Sequence, residues 1–238
     1  MDELKKYLTY FDDSQIRLFN LDKLDGIILF KGNDTSVKGH NINNLNTYYC
    51  ELCTLYYVWK NKLYSPYVEF VQYRRPFNYE GDMPKIGECI TYRPIMLNIG
   101  IYMQFVMCHV KKRIDDIISV LDGMYGYGNK YSNYMQYGVT LYTNNTFIMQ
   151  WDDFCQMCDF VFGVLFEYDK VLGLGFDSDK YDINSDEYSK GNPRPDYQKH
   201  FMAYLGERLV SAWISLNMKD IPVERNKQMF FQPFETEK

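Results

Sequence analysis

Two adjacent arginines, Arg74 and Arg75, close the run Tyr67-Val68-Glu69-Phe70-Val71-Gln72-Tyr73. A run this rich in β-branched and aromatic residues reads as a strand. In open α/β sheets, ligands bind where strands reach their carboxyl edge. Paired guanidiniums there suit a phosphate, since each presents a rigid fork of donors. Neighbouring side chains on a strand face opposite ways. One arginine is therefore expected to reach a ligand while the other braces the sheet edge; an ion pair with a nearby carboxylate is the plain alternative. Asp34 and Asn41 fall in loops after an earlier strand, where contacts to a nucleotide base or ribose are expected, although Asn also favours turns for its own sake. Glu51 lies in the first turn of a helix, where the dipole favours a carboxylate whatever the function.

Other polar groupings point away from metal chemistry. The six cysteines include two C-x-x-C pairs, Cys50/Cys53 and Cys155/Cys158. That spacing suits zinc, but both pairs fall among bulky apolar residues of expected helices, which favours buried free thiols. Asp177-Ser178-Asp179 has the D-x-D spacing that can hold Mn²⁺ or Mg²⁺, yet it lies in a late polar stretch read as a solvated loop. His40, His109 and His200 show no ligand spacing.

The elements that must position these groups follow from periodicity. Strands are expected over residues 6–11, 26–31 (fully buried), 67–73 and 95–103, with an edge strand within 140–149. Helices are expected over 48–60, 105–121, 151–166 and 201–217. In the first, Leu52, Leu55, Tyr56 and Trp59 recur at i, i+3, i+4 and i+7. Residues 173–195 read as a long polar loop, 123–138 as a Gly- and Tyr-rich connection, and the tail from Lys219 as polar and peripheral. Strands alternating with helices give an α/β fold with a mostly parallel central sheet and helices on both faces. No repeat or linker divides the chain, so one domain spanning residues 1–238 is expected.

Composition narrows the function. Of 238 residues, 46% are hydrophobic and 18% aromatic, enough for a sizeable core. Net charge is −5, and no basic stripe of the kind that grips a nucleic-acid backbone is present. No apolar run is long enough to cross a membrane. The first residues, Met1-Asp2-Glu3-Leu4-Lys5-Lys6, lack an apolar signal core, so a cytoplasmic location is expected. Alanine occurs only at Ala203 and Ala212 while Tyr, Asn, Asp and Lys abound. That bias fits an AT-rich coding source such as a phage, a large virus or an AT-rich bacterium.

Four ordered blocks carry a resemblance. They are Tyr49-Cys50-Glu51-Leu52-Cys53 through Trp59-Lys60-Asn61; Tyr73-Arg74-Arg75-Pro76-Phe77; Thr146-Phe147-Ile148-Met149; and Gly206-Glu207-Arg208-Leu209 through Trp213-Ile214. Together they resemble a bacterial family from capsule and exopolysaccharide loci, long catalogued only as a domain of unknown function and regarded as similar to GT-A glycosyltransferases. The match runs over most of residues 25–217. Where that family has His before Tyr-Arg-Arg this chain has Gln72, and where it has Asp before Asn-Ile this chain has His40.

The resemblance implies a single Rossmann-like domain that moves a sugar from a nucleotide donor, a UDP-sugar first among them, to a glycan or lipid-linked acceptor or, in a phage or virus, to a capsid glycan or a modified DNA base, with Mn²⁺ or Mg²⁺ as a possible aid. It assigns Gln72, Tyr73, Arg74 and Arg75, with Asn41 and Glu51, to the donor side, which Asp34 joins by its place in a loop after a strand. It assigns Glu207 to the role of catalytic base, with Arg208 binding phosphate or orienting it. A silent relative that binds a sugar or a protein, or a purely structural phage or virus protein that kept the fold, are the rival readings.

Overall fold

The computed structural model describes residues 4–74 and 79–224. In chain order the elements are β1 (Leu4–Tyr10), α1 (Asp13–Leu18), β2 (Ile27–Lys31), α2 (Asn46–Tyr49), α3 (Leu52–Lys60), β3 (Tyr67–Gln72), β4 (Glu88–Tyr92) and β5 (Ile95–Met96). They continue with α4 (Gly100–Cys108), α5 (Lys111–Tyr125), α6 (Lys130–Tyr137), β6 (Thr140–Leu141), β7 (Phe147–Gln150), α7 (Trp151–Val171), α8 (Ser178–Tyr188), α9 (Pro195–Gln198), α10 (Phe201–Asn217) and β8 (Lys219–Val223).

Six strands form one sheet in the order β2-β1-β3-β7-β4-β8, and β5 pairs with β6 separately. β7 runs against both β3 and β4, while β1, β2 and β3 are mutually parallel and β8 is parallel to β4. Five of the six strands therefore point the same way, which is the expected mostly parallel sheet.

Strand alternation sorts the core onto two faces. Tyr7, Val68, Phe70, Phe147 and Met149 face the larger cluster, built with Leu52, Leu55, Phe154, Leu205 and Leu209 from α3, α7 and α10. Phe70 stacks on Tyr7 at 5.5 Å and on Phe154 at 5.1 Å, joining the sheet to α7. Leu8, Val71, Ile90 and Ile148 face the other way, against Ile16 and Phe19 near α1 and Leu21 in the turn that follows. Helices thus cover both faces, though unequally.

Several local expectations are corrected. β2 is an edge strand with Ile28 45% exposed, not a buried one. The helix over 48–60 is two helices, broken at Cys50, whose φ is +47°. The expected strand over 95–103 is the two-residue β5 followed by the start of α4 at Gly100, with φ +76°. The strand of that region is β4, in a stretch to which no element was assigned. The helix over 105–121 divides into α4 and α5 around His109 and Val110. The connection over 123–138 contains α6, begun by Asn129, whose side chain accepts the N–H groups of Tyr131 and Ser132. β7 is central, not an edge.

The polar stretch over 173–195 contains α8, where Asp177 accepts the N–H groups of Asp179 and Lys180 at 3.0 and 3.4 Å. Tyr181 and Ser185, one helical turn apart, supply its buried anchors. That cap commits Asp177 of the D-x-D spacing to backbone work. The segment from Lys219 joins the sheet as β8, with Pro222 on its outer edge where a missing N–H is tolerated.

Candidate functional site

A cleft of about 600 Å³ opens at the carboxyl edge of the sheet. Phe11 follows β1 into it, and Gln72, Tyr73 and Arg74 enter from the end of β3. Asn144 and Asn145 enter at the start of β7, the antiparallel strand, which brings its amino end to the same edge. α10 and α4 close the opposite wall with Glu207, Arg208, Tyr204 and Gln104. This is where a doubly wound sheet places a ligand.

Glu51 reaches the cleft from a deliberate break. Asn46 closes α2 by accepting the Cys50 N–H at 2.8 Å, and its Nδ2 donates back to the Cys50 carbonyl at 3.3 Å. Cys50 turns through positive φ, a strained conformation for a residue with a side chain. Glu51 follows as the residue that starts α3. Burial pushes its carboxyl up from 4.5 to about 7; its own backbone N–H opposes the rise and the negative charge of Glu207 adds to it. Among the described residues it makes no ion pair.

Glu207 and Arg208 reach the same space from α10. At Gly206 an added Cβ would stand 2.4 Å from Leu52 Cδ1, so only glycine lets α10 come this close to the start of α3. That approach sets Glu207, beside Gly206, against Glu51, beside Leu52. Glu207 accepts the Asn144 N–H at 2.6 Å, and its Oε2 lies 3.7 Å from Arg208 Nη1. Asn144 and Asn145 both adopt left-handed φ, +68° and +47°, which asparagine tolerates better than most residues and which aims that N–H inward. Arg208 is only 2% exposed. It donates to the Tyr204 carbonyl at 2.7 Å and to Gln104 Oε1 at 2.6 Å, and lies over the Phe105 ring. Burial pulls its guanidinium below the ordinary value and Glu207 opposes that.

The far wall is aromatic. His109 stacks on Tyr197 at 5.5 Å and packs on Tyr204 at 4.1 Å, and Arg194 lies over Tyr197. Burial first, then the charge of Arg208, pulls His109 down to about 3, so its imidazole is neutral at physiological pH. At the rim Arg74 is exposed and rests against the face of Tyr73, itself packed edge-on against Phe11 and Phe19.

The cleft thus brings together Glu51, Gln72, Tyr73, Arg74, Glu207 and Arg208. Asp34 and Asn41 stand outside it. Asp34 is taken up by the Ser36 N–H and hydroxyl, and Asn41 donates to the carbonyls of Val37 and Gly39. They shape the Asn-rich loop, which Asn61 clamps through both the N–H and the carbonyl of His40. His40 is therefore a loop residue, whereas Gln72 lines the cleft. Arg75 lies outside the described residues.

Sequence reasoning missed Gln104, His109, Tyr197 and Tyr204, which come from separate elements and share no spacing. Asn144-Asn145 carried a turn signal without a hint of what it would hold. Cys53, Cys89 and Cys158 are buried free thiols, and burial pushes the Cys53 thiol up to about 12. No cluster of three or more His, Cys, Asp or Glu side chains fit to hold a metal occurs among the described residues, and no helix among them is long and apolar enough to cross a membrane.

Comparison with known proteins places this geometry. The family profile described as Domain of unknown function (DUF4422) matches residues 28–218. A search of curated proteins gave no match. Among solved structures, the "WbbM bifunctional glycosytransferase apo structure" is similar at 17% identity with a TM-score of 0.65. The match covers 92% of this chain and 44% of that one, so this chain spans less than half of its structural neighbour. At this identity the likeness is one of fold.

Proposed function

This chain belongs to the DUF4422 family, and we propose that it is a glycosyltransferase that moves a sugar from a nucleotide-sugar donor, a UDP-sugar first, to a hydroxyl of a glycan or lipid-linked acceptor. The observation that carries this reading is the cleft itself. One sheet edge gathers an exposed guanidinium at the rim and two carboxylates within. The shared fold with a solved glycosyltransferase supports it.

In this reading Arg74 faces the donor diphosphate and stabilises the charge that develops as the nucleotide departs. A carboxylate of the cleft receives the proton of the attacking hydroxyl. Arg208 and the Asn144 N–H hold Glu207 in place. The aromatic wall of Tyr197 and Tyr204 suits the apolar face of a sugar ring.

A thermal-shift screen with UDP-, GDP-, CMP- and dTDP-sugars, with and without Mn²⁺, tests the reading. A ligand bound only by the native state raises the melting temperature. The expected result is a shift with one nucleotide class that falls by about tenfold in affinity in Arg74→Ala, or roughly 1.4 kcal/mol. No shift with any donor overturns the proposal. Binding without turnover marks a silent binding protein instead, a second reading that Gln72 favours because it stands in the cleft where the resembling family has His.

A further inference from the structure

We infer that Glu51 takes the acceptor proton, while Glu207 is a positioning residue held as a fixed anion beside it. The inference rests on the glycosyltransferase reading above and goes beyond it by assigning different work to the two carboxylates.

The geometry separates them. Glu207 is already engaged by a backbone N–H at 2.6 Å and by a guanidinium at 3.7 Å. Both partners stabilise the ionised form and resist proton uptake. Glu51 has no ion-pair partner among the described residues. It stands at a backbone break, on a strained junction, within the same cleft. The Gly206–Leu52 contact fixes its distance from Glu207 through two buried helices rather than through a loop, which is how a reactive group is held to tolerance.

The surroundings give the pair its asymmetry. Burial and the anion of Glu207 both disfavour charge on Glu51 and bring it near neutrality, where a general base is most effective. The other titratable or charged groups lining the cleft are Arg74, Arg208, His109, His200, Tyr73, Tyr197, Tyr204, Cys50 and Cys108. His109 is neutral, Arg208 is turned to Glu207 and Gln104, and His200 Nδ1 faces the Thr47 carbonyl at 2.5 Å. Burial pushes both the Cys50 thiol and the Tyr204 hydroxyl up, so neither competes as a base.

The step balances without a further reactant. The acceptor oxygen forms a bond to the anomeric carbon, and its proton passes to a Glu51 carboxylate oxygen. The bond from the anomeric carbon to the diphosphate oxygen breaks, and its electron pair leaves with the nucleotide. Glu207 keeps its charge throughout and, by repelling a second anion, makes Glu51 more basic.

The test is the pH profile of donor hydrolysis, with water as acceptor and the donor that shifts the melting temperature as probe. In the wild-type chain the rate is expected to rise with pH through about 7 and level off. Glu51→Gln is expected to lose about 10²–10⁴-fold in rate together with that inflection, while donor affinity stays within about threefold. Glu207→Gln is expected to keep the inflection but move it to lower pH, because removing the neighbouring anion eases ionisation of Glu51.

A Glu51→Gln chain that keeps the rate and the inflection overturns the inference, as does an inflection that vanishes only in Glu207→Gln. If Glu51→Gln fails to fold, Glu51→Asp serves, since it keeps a carboxyl one methylene further back. A slower rate with the inflection retained supports Glu51, and full activity overturns it. Absence of donor binding by the wild-type chain sinks the glycosyltransferase reading itself, whereas binding and turnover with an unchanged Glu51→Gln profile sinks only the role of Glu51.

Discussion

Glu51 and Glu69 are the same residue type in the same kind of trouble, on opposite sides of one sheet. Burial pushes each carboxyl up to about 7. Glu69 sits in the middle of β3 facing the smaller core, 1% exposed, with Lys6 of the neighbouring strand at 3.4 Å and one oxygen without a partner. Glu51 lines an open cleft, makes no ion pair among the described residues and has another carboxylate for a neighbour. A perturbed titration therefore reports burial; only access and company turn it into chemistry.

The comparison breaks first on activity. Glu69→Gln is expected to leave donor hydrolysis within about threefold of wild type, against the loss of about 10²–10⁴-fold in Glu51→Gln. Equal losses in the two variants would erase the distinction.

Stability sharpens it. Both groups have a folded pKa above the ordinary 4.5, so between about pH 4.5 and 7 the native state holds more protons than the unfolded chain. Stability must then fall as pH rises through that window. Glu51→Gln removes one such group, so it should be nearly neutral at pH 4 and stabilising by on the order of 2–3 kcal/mol at pH 8. Glu69→Gln should show the same sign but a smaller gain, because it leaves Lys6 without its counter-ion. Urea unfolding at the two pH values reads both, and a Glu51→Gln chain no more stable at pH 8 than wild type would refute the assignment.

Arg208 tests the anchored half of the cleft. It is the largest fully buried side chain among the described residues, and its two terminal nitrogens are satisfied by Tyr204 and Gln104. Arg208→Met keeps most of the stem but strands Gln104 and leaves Glu207 short of a cation. A loss of about 3 kcal/mol is expected in urea unfolding, with donor affinity at the Arg74 rim nearly unchanged. A loss below about 0.5 kcal/mol would mean that the buried guanidinium holds nothing in place.

The sequence was most readable where one element carries a long, regular pattern. The bounds expected for α10, 201–217, are those observed, because seventeen residues keep an apolar face. The mostly parallel α/β sheet followed from alternating elements. β4, Glu-Cys-Ile-Thr-Tyr, was missed because it lacks the continuous apolar run that marks the equally short β2, Ile-Ile-Leu-Phe-Lys. α8 has almost no apolar face and stands on its Asp177 cap and two buried anchors, so composition read it as loop. Of the cleft, Arg74 and Glu207 were visible through the family resemblance. The break before Glu51 was not, because the apolar spacing runs on through Cys50 as though the helix were continuous. His109, Tyr197 and Tyr204 meet only in the folded chain.

The smallest expected effect probes how the two carboxylates are held together. In Gly206→Ala the new Cβ meets Leu52 Cδ1 at 2.4 Å, closer than side chains tolerate, and Leu52 is fully buried. The cost is expected to be about 1–3 kcal/mol, typical of overpacking. Relief by α3 sliding against α10 carries Glu51 away from Glu207, whereas relief by a new Leu52 rotamer leaves the pair in place. With sliding, the rate of donor hydrolysis should fall while donor affinity, set at the Arg74 rim, holds. Leu52→Ala opens the space that the alanine needs, so the double variant Leu52→Ala/Gly206→Ala should recover part of the rate lost in Gly206→Ala and show a coupling energy of about 0.5–3 kcal/mol in a double-mutant cycle. Strict additivity would mean that the Gly206–Leu52 contact does not set the spacing of the pair.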